Sequence, residues 1–157
     1  MKNQTITPCL WFDHQAEEAA NLYTSIFKNS RIGQISRYGK EGFEIHRKKA
    51  GTVMVVSFQL DGQNFTALNG GPQFKFTEAI SLQITCDTQE EIDHYWSKLS
   101  EGGEEGPCGW LKDKYGVSWQ VVPSILPKLL GDPEKSERVT KAFLQMKKFD
   151  INSLLNA

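Results

Sequence analysis

Cysteine is scarce in this chain: Cys9, Cys86 and Cys108 make an odd count, and no Cys-x-x-Cys spacing occurs. A disulfide scaffold and a zinc knuckle are therefore not expected, and a reducing, cytoplasmic setting is. The opening Met1-Lys2-Asn3-Gln4-Thr5 has no apolar signal core, and no apolar run approaches membrane-spanning length, so no membrane partner is expected. A net charge of −1 and a pI near 6.3 leave no global basic field of the kind that nucleic-acid binding needs. The densest basic run, Arg47-Lys48-Lys49, lies between Gly42 and Gly51 and reads as a solvated hairpin tip. A glycine-rich turn between a strand and a helix is also missing. Asn69-Gly70-Gly71 follows a strand but leads to Pro72 and Phe74, and Glu101-Gly102-Gly103 follows a helix. Neither order presents a helix N-terminus to a phosphate, so no nucleotide or methyl-donor cofactor is expected. His14, His46 and His94 share no local ligand spacing and read as solvated histidines.

What is present is a repeated order of elements. The 157 residues suffice for one ordinary domain or two small fused modules. Residues 5–12 read as a strand. Asp13 then caps a helix over 15–27, with Ala16, Ala19, Ala20, Tyr23 and Phe27 at helical spacing. Residues 31–38 fit an exposed strand, 53–60 are β-branched and apolar, and Asp61-Gly62 turns the chain into a strand over 64–69. After a connector over 70–78 the order begins again. Residues 79–86 alternate, with Ile80, Leu82, Ile84 and Cys86 on one face and Ser81, Gln83 and Thr85 on the other. Asp87 or Thr88 caps a helix with Glu90 and Glu91 in its first turn and Ile92, Tyr95, Trp96 and Leu99 as its stripe. A poorly signalled strand near 104–108, short strands over 110–113 and 118–122, and C-terminal helices complete the chain. One of those helices starts at Asp132-Pro133. Each half reads β-α-β-β-β, with little identity in the letters themselves.

Few residues stand out for chemistry. Cys9 and Cys86 sit among apolar strand neighbours and read as packing. Cys108, in Pro107-Cys108-Gly109-Trp110, has a less apolar setting and is the one candidate nucleophile. Asp113, before Tyr115-Gly116, suits a turn-forming carboxylate. Phe74 and Phe76 in the connector, with Trp110, read as a lid or an apolar wall. Ser81, Gln83 and Gln120 fall on the strand face opposite the apolar side, where a curved sheet lines a cavity.

Two long stretches carry a resemblance to a known family. They are Leu68-Asn69-Gly70-Gly71-Pro72-Gln73-Phe74-Lys75-Phe76-Thr77-Glu78-Ala79-Ile80-Ser81 and Cys108-Gly109-Trp110-Leu111-Lys112-Asp113-Lys114-Tyr115-Gly116-Val117-Ser118-Trp119-Gln120-Val121-Val122-Pro123. Together with Ile6-Thr7-Pro8-Cys9-Leu10-Trp11-Phe12 and the tail from Lys141 to Ile151, they resemble the PhnB-like family, also labelled 3-demethylubiquinone-9 3-methyltransferase-like. That family lies within the vicinal-oxygen-chelate superfamily of glyoxalases, bleomycin-resistance proteins and extradiol dioxygenases. The resemblance implies an α+β fold of paired βαβββ modules forming a curved mixed sheet around a cavity, with C-terminal helices. Its parts would be module one at about 5–69, the connector at 70–78, module two at about 79–123 and a helical tail at 124–157.

The superfamily's metalloenzymes place His or Glu at four inward strand positions. By alignment these are Pro8, then Ala67 or Asn69, then Ser81, then Gln120. Pro and Ala carry no ligand atom, and Ser and neutral Gln are poor ligands for a divalent ion, so no metal and no other cofactor are expected. The expected function is binding of a small neutral or aromatic organic molecule by Pro8, Asn69, Phe74, Phe76, Ser81, Gln83, Trp110 and Gln120. The alternatives are a lyase or isomerase, a methyltransferase as the label suggests, or an interaction module without a ligand. The family also implies a homodimer.

Overall fold

The computed structural model describes residues 5–157, so residues 1–4 of the N-terminal reading lie outside it. Its contacts cluster into two units that divide inside the connector, Met1–Lys75 and Phe76–Ala157. Among the described residues no helix is long and apolar enough to cross a membrane.

The first unit holds β1 (Cys9–Phe12), α1 (Ala16–Ile26), β2 (Arg31–Arg37), the one-turn α2 (Phe43–His46), β3 (Val53–Leu60) and β4 (Gln63–Asn69). Its sheet runs β1-β4-β3-β2, with β1 and β4 parallel and the other pairs antiparallel. β1 and β2 therefore run the same way at opposite edges of the sheet, and α1 supplies the crossover between them. Ala16, Ala19, Ala20, Tyr23 and Ile26 of α1 are buried against a sheet face carrying Leu10, Phe12, Val56, Phe58, Phe65 and Ala67. Phe58 stacks on Phe65 with ring centroids 5.3 Å apart. The Asp61-Gly62 turn forms as the sequence indicates: both residues have positive φ (45° and 81°), the two-residue hairpin geometry that matches strand twist.

Three expectations for this unit need correction. Asp13 does not cap α1: the N-cap position is Gln15, and the Ala16 N–H is bonded by the Asn69 side chain. The first strand begins at Cys9 and not at Thr5, because only Cys9–Phe12 pair with β4. Pro8 has no N–H to give, and its carbonyl accepts from the Thr66 N–H at 3.0 Å. The basic run is also more than a hairpin tip. It follows α2, with Arg47 in the left-handed region, and Lys48 is half-buried with its ammonium 3.3 Å from the Asp13 carbonyl.

The second unit repeats the plan with β5 (Leu82–Cys86), α3 (Gln89–Ser100), β6 (Glu104–Glu105), β7 (Trp110–Lys112) and β8 (Ser118–Pro123) in the order β5-β8-β7-β6. The weakly signalled strand is the two-residue β6. Thr88 caps α3 by accepting from the Glu91 N–H at 3.2 Å, while the Glu91 carboxylate reaches back to the Asp87 N–H at 2.8 Å. Ile92, Trp96 and Leu99 bury against Ile84, Cys86, Leu111, Trp119 and Val121. Ile80 is not part of that face: it is 79% exposed, and β5 starts two residues later. The tail forms α4 (Leu126–Leu130), α5 (Ser136–Phe143) and α6 (Ile151–Leu155). Asp132-Pro133 makes a turn and not a helix start, since the Asp132 carboxylate accepts from the Glu134 N–H and α5 begins at Ser136. The end of the tail packs inward. Leu154 and Phe149 are buried, and Asp150 caps α6.

Candidate functional site

Strand alternation divides the second sheet into a face under α3 and a face turned away from it. Parallel pairing sets Gln83 beside Gln120, and antiparallel pairing sets Trp110 opposite Gln120 and Lys112 opposite Ser118. The Gln120 amide donates to the Ser81 hydroxyl at 2.8 Å. Four residues singled out from sequence, Ser81, Gln83, Trp110 and Gln120, thus share one face of one sheet. Gln83 is exposed there, and the other three are half-buried.

Beside them lies a hollow of about 410 Å³ lined by Glu78, Glu104, Glu105, Trp110, Lys112 and Ser118, with Gly106, Pro107 and Leu111. The Lys112 ammonium pairs with the Glu78 carboxylate. That hydrogen bond holds Glu78 below the usual carboxylate range and, with the field of Glu104, keeps Lys112 above the usual ammonium range. The Glu105 carboxylate accepts from the Trp96 indole N–H at 2.9 Å. Sequence reading missed Ser118, Lys112 and Glu78. The signal for Ser118 and Lys112 was their parity with Gln120 and Trp110.

Asp113 is buried and organises the turn into β8. Its Oδ1 accepts from the Tyr115 and Val117 N–H groups at 2.9 and 3.0 Å, and its Oδ2 accepts from the Trp119 indole at 2.9 Å. The reading of Asp113 as a turn-forming carboxylate agrees with this. Cys108 has a left-handed backbone (φ 55°), donates its N–H to the Met146 carbonyl at 2.8 Å, and sets its Sγ 3.7 Å from the Phe143 carbonyl. Those contacts join a strand approach to the tail, and none of them is with a base. Burial pushes the Cys86 thiol up to about 12, with Glu91 and Asp87 adding to the shift.

Pro8, Asn69 and Phe74 belong to the first unit. Asn69 lies on the α1 side of β4 with both ends of its amide in use. Its Oδ1 accepts from the Ala16 N–H at 2.8 Å, and its Nδ2 donates to the Val53 carbonyl at 3.1 Å. Ala67, the alternative at that position, is fully buried on the same side. Neither presents a side chain to the opposite face, where Trp11, Thr66 and Leu68 lie by alternation. Trp11 is the residue that sequence reading passed over. Its indole N–H donates to the Gly71 carbonyl at 2.8 Å, and Phe74, 64% exposed, meets it edge-on at 4.9 Å. A second hollow, of about 400 Å³, is lined by His14, Glu17, Arg47, Lys48, Lys49 and Asn69, with Thr52 and Val53. Phe76, in the second unit, is half-buried.

A catalytic metal of the superfamily kind does not fit these residues. Among the described residues no three His, Cys, Asp or Glu side chains gather as such an ion requires. At the positions in question Ser81 and Gln120 hydrogen-bond each other, Asn69 holds the backbone, and Pro8 has no donor atom.

Known proteins share this architecture. Residues 4–122 match a family described as 3-demethylubiquinone-9 3-methyltransferase. A PhnB protein from Bacillus cereus, itself a candidate 3-demethylubiquinone-9 3-methyltransferase, is 43% identical with a TM-score of 0.67, over 77% of this chain and 100% of that one. Protein PA1353 from Pseudomonas aeruginosa is 18% identical with a TM-score of 0.62, over 77% of this chain and 98% of its own. The fosfomycin resistance protein FosX from Listeria monocytogenes is 17% identical with a TM-score of 0.55, over 84% of this chain and 100% of its own. These last two share the fold alone. No curated protein matches the chain. By family model and by identity alike, the chain belongs to the PhnB-like family described as 3-demethylubiquinone-9 3-methyltransferase.

Proposed function

We propose that this protein binds a small neutral or aromatic organic molecule on the face of its second sheet turned away from α3, without a metal. The observation that carries the reading is the hydrogen-bonded Ser81–Gln120 pair, flanked in register by Gln83 and Trp110. Amide and hydroxyl groups offer donors and acceptors without charge, and an indole offers a flat apolar wall, which suits an uncharged or aromatic ligand. Asn69 is not part of this face: it lies on the first sheet, where both ends of its amide hold backbone. Sequestration of such a molecule needs affinity but no acid or base.

The family description favours a second reading, a methyl transfer, and turnover with S-adenosylmethionine and a quinol precursor tests it directly. The binding reading is tested by a thermal-shift screen of neutral aromatic compounds, since a ligand of the native state raises the melting temperature. Hits should lose their shift in Gln120→Leu while the unliganded protein keeps its melting temperature. Hits unaffected by that change, or an absence of hits, count against the site. The two-residue β6 at one sheet edge also supports a homodimer, because an open edge wants a partner. Sedimentation at micromolar protein that shows only a 17.8 kDa species would remove that part.

A further inference from the structure

Ser118 holds the one buried side-chain oxygen among the described residues that has no hydrogen-bond partner. The residue is 2% exposed, yet it lines the 410 Å³ hollow beside Trp110. A buried hydroxyl left unpaired is costly and uncommon in folded proteins, so its partner is expected to come from whatever enters the hollow. Three glutamates and one lysine line that hollow, and Glu105 turns its carboxylate to Trp96 of α3, which leaves two carboxylates against one ammonium. Glu105 already accepts from Trp96 and Glu78 already accepts from Lys112, which leaves Glu104 facing Lys112 across the β6–β7 pair as the least committed carboxylate. Trp110 completes the wall with an indole, and aromatic faces attract ammonium groups.

We propose that this hollow is an amine subsite: it takes the protonated amino group of a small organic amine between Glu104 and the Trp110 ring, while a polar atom of the same molecule meets the Ser118 hydroxyl. The proposal builds on the ligand-binding reading of the neighbouring Ser81–Gln120 face, and it adds the charge class of the ligand's outer end. An anionic molecule is disfavoured by the carboxylates, and the Lys112 ammonium is taken by Glu78.

Three probes with one indole ring separate the possibilities: tryptamine, its neutral alcohol tryptophol, and indole-3-acetate. Each is titrated to about 10 mM into the full chain, with chemical shifts read at the Trp110 indole and the Ser118 amide. Tryptamine should perturb both signals with the highest affinity, and indole-3-acetate with the lowest. Raised salt should weaken tryptamine and leave tryptophol unchanged. Glu104→Gln should cost tryptamine about two- to fivefold in affinity, as expected for an exposed charge pair. Ser118→Ala should cost about fivefold in affinity while the unliganded melting temperature stays level or rises, because the hydroxyl has no protein partner to lose. Equal affinity for tryptamine and tryptophol, still dependent on Gln120, would overturn the amine subsite and leave the neighbouring face standing. Tryptamine binding that depends on Glu104 but not on Gln120 would do the reverse. An absence of shifts from any probe, or a marked loss of stability in Ser118→Ala, would overturn the amine subsite outright.

Discussion

Replacing Asn69 with alanine separates a ligand contact from a structural clamp. The side chain makes two hydrogen bonds, to the Ala16 N–H at 2.8 Å and to the Val53 carbonyl at 3.1 Å. The first does the work of a helix cap. Gln15, at the N-cap position of α1, makes no capping bond of its own, so Asn69 satisfies a first-turn N–H from a distant strand. Losing a cap costs about 1 kcal/mol, and losing a backbone-directed bond near a covered face costs about as much again. The expected loss is therefore about 2 kcal/mol, which in a chain of this size lowers the melting temperature by about 4–8 °C. Urea unfolding followed by tryptophan fluorescence measures it, with an unchanged denaturant slope as evidence that two-state behaviour holds. The Tyr38 hydroxyl bonds the Asn69 carbonyl at 2.7 Å and is untouched by the change. An unaltered urea midpoint, combined with loss of ligand-induced stabilisation, would refute this reasoning and return Asn69 to the binding set.

Three further outcomes follow from the same geometry. Asp113→Asn keeps an oxygen for the Tyr115 and Val117 N–H groups but turns an amide N–H toward the Trp119 indole donor, so it should destabilise by about 2–3 kcal/mol, and an unaltered urea midpoint would contradict it. Iodoacetamide at mildly alkaline pH should label the exposed Cys9 in the native protein and spare Cys86, which is buried and pushed up to about 12; peptide mass spectrometry that finds Cys86 modified as fast as Cys9 would show that α3 does not cover it. Acid should loosen the C-terminal tail first. Asp93 is held below its ordinary 3.8 chiefly by the Lys148 hydrogen bond, and Asp150 chiefly by the Ser153 hydrogen bond. Carboxylates depressed in the folded state stabilise fully above the ordinary value and lose that contribution as pH falls through the folded value. Hydrogen exchange between pH 5 and about pH 3 should therefore show residues 148–155 opening before the sheets, and uniform opening would contradict it.

The helices show where sequence reading succeeds and where it stops. Thr88 and Glu91 lie within one turn of α3, so the start of that helix was legible from a window of four residues. The start of α1 depends on Asn69, which is 53 residues away, and no local pattern marks it. Asn69 entered the candidate set by alignment with an inward strand position, and only the register of β4 shows that it lies on the α1 side. Alternation worked well where strands were true strands. It placed Gln83 beside Gln120 and failed at Ile80, where the chain has not yet entered β5; Ser81, also before β5, joins them through its hydrogen bond to Gln120. Ser118 was hidden for a different reason. A serine in Val-Ser-Trp-Gln is unremarkable until its burial and missing partner are known, and both depend on β7 and on the fold of the hollow.

The glycine pair that most invites a cofactor reading is taken up by packing inside its own unit. A side chain on Gly70 would begin 2.1 Å from the Trp11 ring, and Gly71 supplies the carbonyl that the Trp11 indole bonds. Glycine is therefore required at position 70 so that an indole, and not a phosphate, can approach the backbone closely. The same holds for Gly103, where an added carbon would lie 2.1 Å from the Lys112 carbonyl in the β6–β7 approach. Both sequence features that resemble a nucleotide-type cradle thus have a full physical cause without one. A methyl donor bound to this chain would have to be held by side chains, on the second sheet's polar face or in the basic hollow around Lys48 and Lys49. Those two surfaces differ in charge, so the salt dependence of any S-adenosylmethionine binding would tell which one holds it. The zwitterionic amino acid end needs a carboxylate partner as well as a cation. The hollow around Lys48 offers Glu17 beside three cations, whereas the Lys112 ammonium beside the second sheet's polar face is already paired with Glu78. Substituting Lys48, and finding the affinity unchanged, would remove the basic hollow from consideration.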